Sequence, residues 1–139
     1  MMNIKEIEKL IEKAKMMAEK NDCCPHSKFT VGAALLTNEG NIYTGFNIEN
    51  DGIQSICAER TAFANALTSG EKEFKCIAIV GKNLEDKMFA KILPCGYCLQ
   101  FLSEYTTPDF VIYTYDDSEE KLYRYELKDL QPHNYSLDK

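Results

Sequence analysis

A chain of 139 residues can bury a continuous core as one domain, here 1–139, without disulfide support. With 45% hydrophobic and 27% charged residues, and no apolar run near the roughly 20 residues of a membrane helix, its composition is that of an ordinary soluble globular protein. A net charge of −6 argues against tracking of a polynucleotide backbone and favours a small-molecule substrate, while charges throughout the first 20 positions leave no secretory apolar segment and point to the cytoplasm.

In chain order, Ile4, Ile7, Leu10, Ile11, Ala14, Met17 and Ala18 recur at spacings of three and four, which predicts an amphipathic helix over 4–20. Phe29 to Leu36 is apolar and partly β-branched, Asn38-Glu39-Gly40-Asn41 supplies turn chemistry, and Ile42 to Phe46 resumes an extended pattern, together a β-hairpin. After a polar loop, Cys57 to Leu67 carries helix formers and stops near Ser69-Gly70. Cys76 to Val80 reads as a strand buried on both faces, and Lys82 to Ile92 as a loop. Pro94 then introduces a helix over 95–105. Strands over 110–115 and 121–127 flank the acidic turn Asp116 to Glu120, and a short helical piece follows at 127–130. This order predicts an α/β class fold, a three-layer α/β/α domain with a mixed five-stranded sheet.

The chemistry concentrates in Cys57-Ala58-Glu59 and Pro94-Cys95-Gly96-Tyr97-Cys98. Three thiolates suit a catalytic zinc site, which keeps a fourth position open. With both segments opening helices, all three thiols sit at helix N-termini, where free N–H groups and the dipole favour negative charge. Three thiolates still outweigh one Zn²⁺, and Arg60 is placed to hydrogen-bond the sulfurs and draw charge from the metal. Glu59 can reach the open position as general acid and base. The plainer alternative is a buried Cys57 unrelated to a redox or structural Cys-x-x-Cys, with Cys23, Cys24, Cys76 or a histidine as fourth ligand. Cys76 fits a core strand better, and Cys23 and Cys24 are expected to end the first helix or pack beneath it.

These motifs carry a resemblance to the homotetrameric class of cytidine deaminases, from about Pro25 to Tyr135. The residues concerned are Ser27-Lys28-Phe29-x-Val31-Gly32-Ala33-Ala34, Gly45-x-Asn47-Ile48-Glu49-Asn50, Cys57-Ala58-Glu59-Arg60-Thr61-Ala62 and Pro94-Cys95-Gly96-x-Cys98-x-Gln100. The resemblance implies hydrolytic deamination of cytidine or deoxycytidine at C4, with release of ammonia, in pyrimidine salvage. It implies one zinc ion per subunit held by Cys57, Cys95 and Cys98, with Glu59 shuttling protons. It further implies that Asn47 and Glu49 hydrogen-bond the ribose, that Phe29 walls the pyrimidine, and that the Ala58 backbone reads the base. Tyr135 falls where the family places a phenylalanine that stacks on the base from an adjacent subunit of a homotetramer.

Besides the tyrosine at 135, the chain departs from the family pattern in two places. The Asp51 to Ile56 loop is one residue shorter and lacks an aromatic residue, and Leu99 replaces an arginine after the last zinc ligand, so Arg60 faces the thiolates alone. Competing readings keep the chemistry on a blasticidin-type or modified cytosine nucleoside, or keep the fold as a noncatalytic zinc-stabilised binding module. Intact Glu59 counts against the second, and the lack of a basic aromatic groove counts against polynucleotide editing.

Overall fold

The computed structural model describes residues 2–137. Helix α1 (Ile4–Glu19) is started by a capping box in which the Glu6 N–H donates to Asn3 Oδ1 at 3.0 Å and the Asn3 N–H donates back to Glu6 Oε1 at 3.3 Å. Strands β1 (Phe29–Thr37) and β2 (Ile42–Phe46) form the expected hairpin. Then follow α2 (Ala58–Thr68), β3 (Phe74–Asn83), α3 (Gly96–Tyr105), β4 (Val111–Asp116), β5 (Lys121–Glu126) and the short α4 (Leu127–Leu130).

The sheet order is β2-β1-β3-β4-β5, with β3 and β4 parallel and the other neighbours antiparallel. Because β1 runs against both β2 and β3, the carboxyl ends of β2, β3 and β4 share one edge with the start of β1. Both α2 and α3 begin near that edge, the usual place for a ligand in an open α/β sheet. Two cores sandwich the sheet. One gathers Leu10, Ile11, Ala14 and Ala18 of α1 over Ala34, Ala78 and Val80. The other gathers Ala58, Ala62, Phe63 and Ala66 of α2 and Leu102 of α3 over Ala33, Leu35, Ile77, Ile79 and Ile112.

Two glycines let helices press onto the sheet from opposite sides. A Cβ at Gly32 would lie 1.9 Å from the Ala14 carbonyl oxygen, and one at Gly45 would lie 2.7 Å from the Ala62 nitrogen and 2.9 Å from the Ala58 oxygen. No side chain larger than hydrogen fits at either position without moving a helix.

Several boundaries differ from those read off the sequence. Strand β3 extends through Lys82 and Asn83, because the Lys82 ammonium is satisfied where it lies: it donates to the Asp86 carbonyl at 2.8 Å, pairs with Glu19 at 3.2 Å and sits 5.1 Å from the Phe89 ring. Cys57 and Cys95 are N-caps rather than helical residues. Cys23 and Cys24 lie beyond the end of α1, in the segment leading to β1, with Cys24 buried there. Ile4, expected on the buried stripe, is exposed, and Met17 is half-buried. Cys76 is buried in β3, and burial pushes its thiol up to about 12, as a core residue rather than a ligand.

Candidate metal centre and nucleoside site

The ligand atoms of Cys57, Cys95 and Cys98 lie within 4.8 Å of one another, and the Cys57 and Cys95 sulfurs are 3.9 Å apart. The local backbone explains the convergence. Cys57 and Cys95 are both extended at ψ 156° and 167°, turning the chain into α2 and α3, and Cys98 lies one turn along α3 on the face of Cys95. Neither N-cap side chain accepts a capping hydrogen bond from its helix. Four ligands at about 2.3 Å in a tetrahedron put neighbouring sulfurs roughly 3.8 Å apart, so this donor set fits zinc in identity, and the Cys57–Cys95 pair at 3.9 Å fits it in spacing.

The Arg60 Nη2 donates to Cys57 Sγ at 3.5 Å, and its guanidinium lies 4.3 Å from the Tyr97 ring centroid. Burial works against the charge on Arg60, but hydrogen bonds to the sulfurs of Cys98 and Cys57 raise its pKa overall. The Cys57 thiol is pulled down, first by the hydrogen bond from Cys98 and then, against burial, by Arg60. Cys98 moves up, because it donates that hydrogen bond and is buried. Glu59, only 4% exposed, is pushed up to about 7 by burial, with the neighbouring Cys57 charge adding to the effect. A carboxyl group poised near neutrality beside a metal-binding triad suits proton transfer in both directions.

A second group of residues lies at the same sheet edge. Asn47 Oδ1 accepts from the Val31 N–H at 2.8 Å and from Asn21 Nδ2 at 2.7 Å, while Asn47 Nδ2 donates to the Phe29 carbonyl at 2.9 Å. Among the hydrogen bonds of the described residues this fills the oxygen and leaves one N–H of the amide to offer. Glu49 Oε1 accepts from the N–H groups of His26 at 2.9 Å and Ser27 at 3.1 Å. The Ser27 hydroxyl and then, against burial, these N–H groups hold its carboxyl below the ordinary value. The Phe29 ring packs over Gly81, where a Cβ would lie 2.8 Å from it. Ala58 is fully buried in the first turn of α2.

An isolated antiparallel bridge joins the two groups. Ile48, between Asn47 and Glu49, pairs with Ile56, next to Cys57, through N–H···O bonds of 2.9 and 2.8 Å. The short Asp51 to Ile56 loop closes through Asn50 Nδ2 donating to Gln54 Oε1 at 2.6 Å, and it leaves Ile53 98% exposed. The structure therefore brings together Phe29, Asn47 and Glu49, and separately Cys57, Ala58, Glu59, Arg60, Cys95 and Cys98. Tyr135 is 60% exposed, and its backbone carbonyl accepts from Gln100 Nε2 at 3.2 Å.

The sequence reading missed Asn21 and Tyr97. Asn21 stands just after a helix, where an asparagine reads as a stop signal, and nothing in its position announces that it is 6% exposed and bonded to Asn47. Tyr97 occupies an unconstrained position inside Cys-x-x-Cys. A cavity of about 650 Å³ between α1 and the β4–β5 turn is lined by none of these residues.

Comparison with known proteins agrees with this geometry. Residues 4–114 match the cytidine and deoxycytidylate deaminase zinc-binding region. A probable cytidine deaminase from Dictyostelium discoideum is 46% identical over 105 residues, covering 75% of this chain and 68% of its own length. A blasticidin-S deaminase from Bacillus cereus is 31% identical over 134 residues, covering 94% of this chain and 89% of its own. The crystal structure of a cytidine deaminase from Burkholderia pseudomallei superposes with a TM-score of 0.80 at 36% identity, covering 96% of this chain and all of that one. The chain belongs to the cytidine and deoxycytidylate deaminase family.

Proposed function

We propose that this protein hydrolytically deaminates cytidine and deoxycytidine to the corresponding uridine and ammonia, using one zinc ion held by Cys57, Cys95 and Cys98. The observation that carries this reading is the near-tetrahedral sulfur spacing, 3.9 Å between Cys57 and Cys95, beside a buried Glu59. When bound, zinc supplies Lewis acidity that lowers the pKa of water. Glu59 takes one proton as water adds at C4 and gives it to N3 of the base, then takes the second from the new C4 hydroxyl and gives it to the amino group, which leaves as ammonia. A carboxyl poised at about 7 populates both forms needed for this. Arg60 offsets thiolate charge.

The free N–H of Asn47 donates to a sugar hydroxyl, and the Glu49 carboxylate accepts from another. A site built this way disfavours analogues that leave its polar groups unpaired. Phe29 flanks the pyrimidine, and the Ala58 backbone contacts the base. Exposed Ile48, Ile53, Ile56 and Leu93 lie on the segments leading to the thiols and support a homotetramer whose subunits cover this rim. In that assembly the exposed Tyr135 stacks on the base of a neighbouring subunit. Free nucleosides of cytoplasmic pyrimidine salvage are the substrates under this reading; among the described residues no helix is long and apolar enough to cross a membrane.

Loss of cytosine absorbance on mixing zinc-loaded protein with cytidine or deoxycytidine tests the proposal. Glu59→Gln should keep fold and zinc yet lose about 10²- to 10⁴-fold in rate. Undiminished turnover in that variant would refute the role of Glu59. The blasticidin-S deaminase similarity over 94% of the chain and the shortened loop favour one second reading, an enlarged cytosine nucleoside as substrate. Turnover of blasticidin S with inert cytidine would select it.

A further inference from the structure

We propose that Tyr97 is a positioning residue that holds Arg60 against the zinc thiolates; this rests on the zinc reading above. Arg60 reaches Cys57 Sγ from α2 at 3.5 Å, while the Tyr97 ring, projecting from the first turn of α3, lies 4.3 Å from its guanidinium carbon. The contact crosses the same α2–α3 junction that the three thiols span, and Tyr97 stands between two of them in sequence. Among the described residues the buried Nε of Arg60 has no hydrogen-bond acceptor, so no polar partner on that side fixes its plane.

The type of partner matters. A carboxylate at position 97 would also anchor Arg60, but it would compete with the sulfurs for the guanidinium N–H groups and cancel the charge they need. An aromatic face attracts the cation through its quadrupole and leaves the N–H groups in the plane of the guanidinium directed at sulfur. Leu99 is a half-buried part of the apolar core on this face and offers the thiolates nothing. Among the described residues Arg60 is the cation hydrogen-bonded to a ligand sulfur, so its orientation sets how much thiolate charge is offset. Tyr97 is itself 70% exposed and adds little to the fold, so its replacement tests the contact rather than the core.

The experiment measures zinc release from the loaded full-length protein into a chromophoric chelator, together with the thiolate-to-metal charge-transfer band of the cobalt-substituted protein. Tyr97→Ala should release zinc about 3- to 10-fold faster, and Tyr97→Phe should stay within about 2-fold of the parent, because the ring face is what acts. The cobalt band of Tyr97→Ala should move to longer wavelength as the sulfurs become more electron-rich. In an Arg60→Ala background the same Tyr97→Ala change should alter release by less than about 2-fold.

Release from Tyr97→Ala at the parental rate would overturn the proposal, as would a Tyr97→Phe as fast as Tyr97→Ala. An undiminished effect without Arg60 would also overturn it, since the ring would then act by shielding the metal. A parent protein that takes up no zinc would instead overturn the zinc reading itself, and with it this inference.

Discussion

Replacing Gly45 by alanine should damage the metal site from a distance. The new Cβ would lie 2.7 Å from the Ala62 nitrogen, and ordinary contact begins at 3.4 Å, so the start of α2 must retreat by about 0.7 Å. Zinc sites tolerate ligand displacements of about 0.2 Å, so a shift of this size carried to Cys57 spoils the triad. Overpacking of this kind costs about 1–3 kcal/mol. At a few degrees per kcal/mol, the expected fall in Tm is roughly 4–12 °C. Gly32→Ala is the internal control. Its Cβ would meet the Ala14 carbonyl at 1.9 Å, a larger clash, but it pushes α1 on the face opposite the thiols. Thermal unfolding and chelator competition on both variants separate the effects: Gly32→Ala should lose more stability while keeping near-parental zinc affinity, and Gly45→Ala should lose both. A stable Gly45→Ala with parental zinc affinity would refute the claim that the absent side chain at position 45 seats the ligand helix.

Three further outcomes follow from the same contacts. The Glu49 carboxyl is held below its ordinary 4.5, so its ionised form stabilises the fold above that pH and the stabilisation is lost as pH falls through the lower folded-state value; Glu49→Gln should therefore show a flatter decline of Tm with pH below about 4.5 than the parent. Asp117 accepts from the Phe89 N–H at 2.8 Å and from Lys15 Nζ at 2.7 Å, with both charged side chains about one-fifth exposed, so Asp117→Ala should cost about 1–2 kcal/mol in urea unfolding. Zinc removal should lower Tm, because metal at about 100 times its Kd contributes roughly 2.7 kcal/mol of linkage, and chelated protein with unchanged Tm would mean that the triad binds nothing.

Much of this was legible in the sequence where a single physical rule dominates. The helix over the first twenty residues follows from its stripe, and the hairpin from β-branched runs around Asn38 to Asn41. The grouping of Cys57, Cys95 and Cys98 follows from residue type and spacing. Legibility failed where long-range partners decide. Lys82 reads as a loop residue because a lysine is costly to bury, yet Glu19 meets it from α1, and Asp86 and Phe89 from the segment after β3. Asn21 reads as a turn residue until β1 and β2 bring Thr30 and Asn47 to it. Tyr97 gains a partner only once α2 and α3 are laid side by side on one sheet face.

That juxtaposition of α2 and α3 ties the chemistry to the fold. The sulfurs of Cys57 and Cys95 belong to different helices, and their separation is set by how each helix packs rather than by any local motif. Gly45 seats the start of α2, whereas α3 is held through buried Cys98 and Leu102 and through the contact of Phe101 with Phe63 of α2. Phe63 also contacts Phe74 and Phe110, so the aromatic cluster that fills this layer spaces the two helix starts as well. That packing holds the three sulfurs within 4.8 Å of one another, and Arg60 donates to the Cys57 sulfur among them. Core substitutions beneath α2 and α3 therefore act on zinc affinity through the same displacement that lowers stability, while those beneath α1 act on stability alone.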